Sequence, residues 1–213
     1  MSVSPHTCGD APTRRGFLQG AGAAVLGAGL VACTTPPKAA PTANPVATDL
    51  RLAALAARLE LALVDAYTTI VAAAEPGGRL APAPAAFLAL ARTAAAQHAD
   101  HAALWNATLA ANHVSEEKSG EAALVAQAHQ QLGTAQSVAD VAAAALRLEQ
   151  TSVQTYVAMA IRFADHHARR RAMQIGPVEA QHAAVLGFLL GAEPVPDAVV
   201  GSGAALHLPA VRG

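Results

Sequence analysis

Four long stretches of the chain carry apolar residues at helical spacing between clear punctuators: Asp49 to Glu75, Pro84 to Asn112, Val138 to Ala164, and His166 to Leu190. The first shows the stripe Ala53, Ala56, Glu60, Leu63, Tyr67, Ile70, and the third shows Ala142, Ala145, Glu149, Ser152, Tyr156, Met159, Phe163. Each stripe is apolar except for one glutamate and its polar neighbours, so each predicts a helix that turns a carboxylate toward a core. Residues 76–82 (PGGRLAP) break the chain between the first two stretches, and Asp165 is placed to cap the fourth. Each pair therefore reads as an antiparallel helical hairpin. Residues 113–137 separate the hairpins and hold a shorter helical piece around Glu121 to Gln131, which predicts a long crossover rather than a tight turn. Gly176-Pro177 interrupts the last stretch and predicts a kink, or a restart just before Glu179.

Composition sharpens this all-α reading. Alanine contributes 57 of 213 residues while aromatic residues make up only 3%. The best helix former dominates, and strand formers are scarce. Charged residues amount to 14% and the net charge is -1, with no basic stripe beyond Arg169, Arg170 and Arg171, so the footprint of a nucleic-acid binder is missing. After Cys33 no apolar run approaches the roughly 18 to 20 residues of a membrane-spanning helix.

Residues 1–32 read as an export address. Thr13-Arg14-Arg15-Gly16-Phe17-Leu18 fits the twin-arginine pattern, and the apolar stretch behind it ends in Leu30-Val31-Ala32-Cys33, which resembles a lipobox. Cys33 is then the lipidated first residue of a mature protein anchored on the extracytoplasmic side of a membrane, and cleavage near an Ala-x-Ala site is the plainer alternative. With Cys8 in the leader, the body holds no thiol, which excludes disulfides and cysteine chemistry there. Residues 33–47 are Pro/Thr/Ala-rich and read as a tether, 48–191 as the helical domain, and 192–213 as an irregular tail.

The body repeats itself. Arg58-Leu59-Glu60 with Val64 and Tyr67 recurs as Arg147-Leu148-Glu149 with Val153 and Tyr156, and His98-Ala99-Asp100-His101-Ala102-Ala103 aligns with Glu179-Ala180-Gln181-His182-Ala183-Ala184. His98 with His101, and Glu179 with His182, are i,i+3 pairs that share a helix face. Glu60 and residue 100 are centred on Leu80, and Glu149 and residue 181 on Asp165, both inside predicted turns. Six side chains, Glu60, His98, His101, Glu149, Glu179 and His182, are thus expected at one height in the bundle. Three ionised carboxylates in an apolar core would each cost several kcal/mol without compensation. The nearest arginines, Arg58 and Arg147, lie two positions from a glutamate and face elsewhere, whereas two divalent cations would neutralise the cluster.

These residues resemble the ferritin-like superfamily of four-helix di-iron carboxylate proteins, and more loosely its small exported bacterial members, over about Asp49 to Gly191. The resemblance implies a bundle of two hairpins holding two divalent ions, iron in first place and manganese or zinc as substitutes. It implies Glu60 and Glu149 as terminal or bridging carboxylates, Glu179 as a bridge, and His101 and His182 as terminal imidazoles. His98 stands where the family pattern has glutamate, and is either a ligand or a residue just behind the ligands. Tyr67 and Tyr156 read as core residues with a satisfied hydroxyl, or as hydrogen-bond partners of a ligand carboxylate. Trp105 reads as packing, and His113, His129 and His207 as lacking companions.

Three functions compete. One is a centre that oxidises ferrous iron or consumes peroxide or dioxygen. Another is a non-catalytic site holding zinc, manganese or copper, and the third is a structural bundle working through a partner. Whether the protein is an enzyme is left open, as is a homodimer.

Overall fold

The computed structural model describes residues 44–210; the export address, Cys33, most of the tether and residues 211–213 lie outside the described residues. Among the described residues there are five α-helices and no strand: α1 (Pro45–Ala74), α2 (Ala85–Ala111), α3 (Ala122–Thr134), α4 (Val138–Ala160) and α5 (His166–Leu189). None of these helices is long and apolar enough to cross a membrane. The expected architecture is present. Helix α1 packs along α2 and α4 along α5, while α3 lies across α1 and α4 within the crossover.

Local chemistry sets the ends. The Asn44 side chain accepts from the backbone of Val46 at 3.1 Å and Pro45 fills the first turn, so residues 45–47, assigned by sequence to the tether, are helical. Helix α4 opens on a reciprocal capping box between Ser137 and Asp140, and Asp165 caps α5 through Ala168 at 2.7 Å. The turn between them is also held from α1, where both oxygens of buried Asp49 accept from the backbone of Ala164 (3.0 Å) and Asp165 (2.7 Å).

Helix α5 corrects the expected break, because it runs unbroken through Gly176 and Pro177. An interior proline costs about 3 kcal/mol. The residues on both sides, Ala172, Ile175, Glu179 and His182, belong to one buried stripe, and their burial holds the helix together across the lost hydrogen bond.

Under shifts of 89 residues for α1 onto α4 and 81 for α2 onto α5, many buried positions coincide. Leu52, Ala56, Leu59, Glu60, Leu63 and Tyr67 align with Val141, Ala145, Leu148, Glu149, Ser152 and Tyr156; Ala94, His98, His101 and Trp105 align with Ile175, Glu179, His182 and Leu186. The crossover is fastened to α1 by the Arg58 guanidinium, which pairs with Glu117 and Glu121 at 2.9 Å each, and by the Glu121 amide donating to the Arg58 carbonyl. Where it passes α1, a Cβ on Gly120 would lie 2.7 Å from the Ala62 backbone, so only glycine allows that approach. Beyond α5 the chain is irregular and returns along α4, with Leu206 donating to Thr155 (2.9 Å) and packing on the core.

Candidate metal centre

One glutamate comes from α1, two histidines from α2, one glutamate from α4, and a glutamate and a histidine from α5. All six meet in the core. Glu60, His98, Glu149 and Glu179 are fully buried, and His101 and His182 keep 8% and 5% of their surface. The donors form two overlapping groups, Glu60, His98, His101 and Glu179 in one, and His98, Glu149, Glu179 and His182 in the other.

His98 occupies the middle. Its Nδ1 lies 2.8 Å from Glu60 Oε2 and 3.6 Å from Glu179 Oε2, while its Nε2 lies 3.2 Å from Glu149 Oε1. His101 Nδ1 faces Glu179 Oε1 at 3.0 Å and Glu60 Oε2 at 3.5 Å, and His182 Nδ1 faces Glu149 Oε1 at 3.4 Å. Around these, Tyr67 donates to Glu149 and Tyr156 donates to Glu60, so each tyrosine serves the glutamate of the other half. Trp105 is more than the packing residue its sequence position suggests, since its Nε1–H donates to the Tyr156 hydroxyl at 2.9 Å. Ser152 donates to Glu179 Oε2 at 3.0 Å. Gln97 Oε1 lies 2.6 Å from His182 Nε2; an amide oxygen only accepts, which puts the proton on Nε2 and leaves Nδ1 bare toward the cluster.

Electrostatics follow from crowding three carboxyls and three imidazoles out of water. Burial pushes the Glu179 carboxyl up to about 8, with the nearby Glu60 charge adding to it. Burial would also raise Glu149, but the imidazoles of His98 and His182 beside it win and hold it at about 2; Glu60 is lowered in the same way by His101 and His98. For His101 and His98 burial acts downward but is outweighed by the carboxylates beside them, which raise His101 to about 9 and His98 well above its ordinary value. Burial, then the neighbouring carboxylates, keep both tyrosine hydroxyls protonated as donors.

The donor set fits a cation. His101 Nδ1, Glu149 Oε2, Glu179 Oε1 and His182 Nδ1 are buried with no hydrogen-bond partner, although nearly all such atoms in folded proteins are paired. Nitrogen–oxygen spacings of 2.8 to 3.6 Å across the cluster are those of donors sharing an ion at about 2.0 to 2.2 Å each. These buried groups could bind metal ions.

Elsewhere, His129 has a companion that the sequence did not reveal, Asp65 on α1 at 2.5 Å. Sequence reasoning gave Gln97 no role and placed Ser152 only as a member of a stripe. The repeat carried the signal for both, because their counterparts are Val178 and Leu63, and polar residues that break an apolar match mark where the halves differ.

A family model described as a ferritin-like domain matches residues 48–192. No curated protein and no solved structure matches the chain.

Proposed function

Since that match spans most of the sequence, the chain belongs to the ferritin-like domain family, and on this premise we propose that its bundle core holds two divalent metal ions, one in each four-donor group, with iron as the native metal. The observation that carries the reading is the set of four unpaired buried donor atoms, two nitrogens and two oxygens, divided between the two groups. Glu60 with His101 would hold one ion and Glu149 with His182 the other, while Glu179 contributes to both. Bound iron would supply one-electron chemistry toward dioxygen or peroxide. The protein's own part is to orient: Tyr156 holds the Glu60 oxygen turned away from the histidines, Tyr67 holds Glu149 through Oε1, the oxygen that faces His98 and His182, Ser152 fixes Glu179, and Gln97 fixes the His182 tautomer.

The test is metal content of tag-free protein refolded with ferrous iron, followed by oxygen consumption. Two equivalents with oxygen uptake support the proposal, and no bound metal refutes it. Ions that bind only the folded cluster also stabilise it, by about 2.7 kcal/mol at a hundredfold excess over Kd, so the chelated protein is expected to melt lower. A second reading, a redox-inert zinc or manganese site, is favoured by the nearly complete enclosure of the donors, and two equivalents without oxygen uptake would select it. Export by the twin-arginine route and anchoring through Cys33 complete the proposal and rest on residues 13–18 and 30–33.

A further inference from the structure

We propose that His98 is a bridging ligand, its Nδ1 binding the ion held by Glu60 and His101 and its Nε2 binding the ion held by Glu149 and His182. The inference rests on the two-ion reading above and adds to it how the ions are joined. A terminal histidine ligand turns one nitrogen to its metal and gives the other to an outer acceptor, as His182 does with Gln97. His98 does not follow that rule. Its two nitrogens point to opposite halves of the cluster, Nδ1 to Glu60 at 2.8 Å and Nε2 to Glu149 at 3.2 Å, and its ring is fully buried with no outer acceptor for either.

The ring is also held in place. Tyr67 stacks against it at 5.3 Å between centroids and 25° between planes, and its edge faces the His182 ring at 5.3 Å. Of the six residues, only His98 and Glu179 belong to both donor groups, and they are counterparts in the repeat. Of the two, the imidazole is the one with a separate donor atom facing each half, Nδ1 toward Glu60 and Nε2 toward Glu149. As the two nitrogen–metal bonds form, the ring protons on those nitrogens pass to solvent, and the ring is left as an imidazolate.

The consequence is metric. Imidazole nitrogens are about 2.2 Å apart and each metal–nitrogen bond is about 2.0 to 2.1 Å, so an imidazolate bridge holds the ions about 6 Å apart. Ions joined by carboxylate or oxygen bridges alone sit about 3.5 to 4 Å apart.

The experiment uses the full chain loaded with zinc alone, with the ions located by anomalous scattering from crystals, alongside zinc titration of variants. Two ions about 6 Å apart, each bonded to a different nitrogen of His98, is the expected result. Two ions at about 3.5 to 4 Å, with His98 on one of them or on neither, overturns the bridge and leaves the two-ion reading intact. One ion or none overturns both. In titration, H98A is expected to weaken both equivalents by at least about tenfold, because a shared ligand is lost from both ions. Loss confined to one equivalent identifies His98 as terminal and refutes the bridge. Should H98A fail to fold, H98E keeps a polar, ligating side chain and is expected to draw the ions together to about 3.5 to 4 Å. A separation unchanged from the wild type would refute the bridge.

Discussion

The two tyrosines occupy equivalent places in the repeat, yet removing their hydroxyls is expected to cost different amounts. In Tyr67→Phe the chain loses one hydrogen bond, from the phenol to the Glu149 carboxylate. A bond to a charged group contributes about 1.5 to 3 kcal/mol. Tyr156→Phe loses the matching bond to Glu60 and also strands the Trp105 Nε1–H, which donates to that hydroxyl at 2.9 Å in a fully buried site. An unpaired buried donor adds about 1 to 3 kcal/mol. The small space left by each lost oxygen is alike and cancels in the comparison. Tyr67→Phe is therefore expected to cost about 2 kcal/mol and Tyr156→Phe about 4, which for a domain of this size corresponds to falls in Tm of about 4 to 8 °C and about 8 to 16 °C. Thermal melts followed by circular dichroism in chelator at pH 7, with denaturant titrations to confirm an unchanged m-value, measure both. Trp105→Phe should cost less in the Tyr156→Phe background than in wild type, since its partner is already gone. Equal losses from the two tyrosine variants, or additive behaviour with Trp105→Phe, would refute the claim that the indole makes the halves unequal.

Other outcomes follow from the same geometry. In chelator, stability is expected to be greatest near pH 4.5 and to fall on either side. His101, raised to about 9, contributes stability that is full below its unfolded value and lost as pH rises through 9. Glu179, pushed up from 4.5 to about 8, destabilises as pH rises from 4.5 through 8, and Glu149, held at about 2, loses its contribution as pH falls from 4.5 toward 2. A Tm that climbs between pH 7 and 9.5 would contradict this. Gly120→Ala should destabilise by about 1 to 3 kcal/mol in denaturant titration, because its Cβ meets the Ala62 backbone, which cannot move aside, as well as the Val125 side chain. Cys33→Ala should shift the protein from the membrane to the soluble fraction, and unchanged fractionation would argue against the lipid.

Much of the centre was legible because a bundle core needs apolar stripes, and a carboxylate inside such a stripe is conspicuous. Glu60 and Glu149 stand out this way, and turn midpoints at Leu80 and Asp165 bring the residues near 100 and 181 to their height. Contacts between distant elements leave no such mark. Asp49 looks like an ordinary first-turn acid, and only the folded chain brings it to the turn at Ala164. The Asp65–His129 pair depends on how α3 crosses α1, which no periodicity encodes. Nor does the sequence show that α5 survives Pro177, since that outcome weighs a local penalty against burial on both sides of it.

The crossed tyrosines give the two hairpins the geometry of a face-to-face pair, each completing its neighbour's glutamate. Two identical hairpins meeting on a twofold axis would have to place the same residue at both shared positions, two histidines or two glutamates. One histidine opposite one glutamate is forbidden by that symmetry. Covalent linkage through the 112–137 crossover lifts the restriction, because the halves become separate stretches of one chain, free to differ at His98 and Glu179, Trp105 and Leu186, Gln97 and Val178. Each half's sequence can then set its own donors, so that two chemically distinct donor groups stand side by side within a single polypeptide.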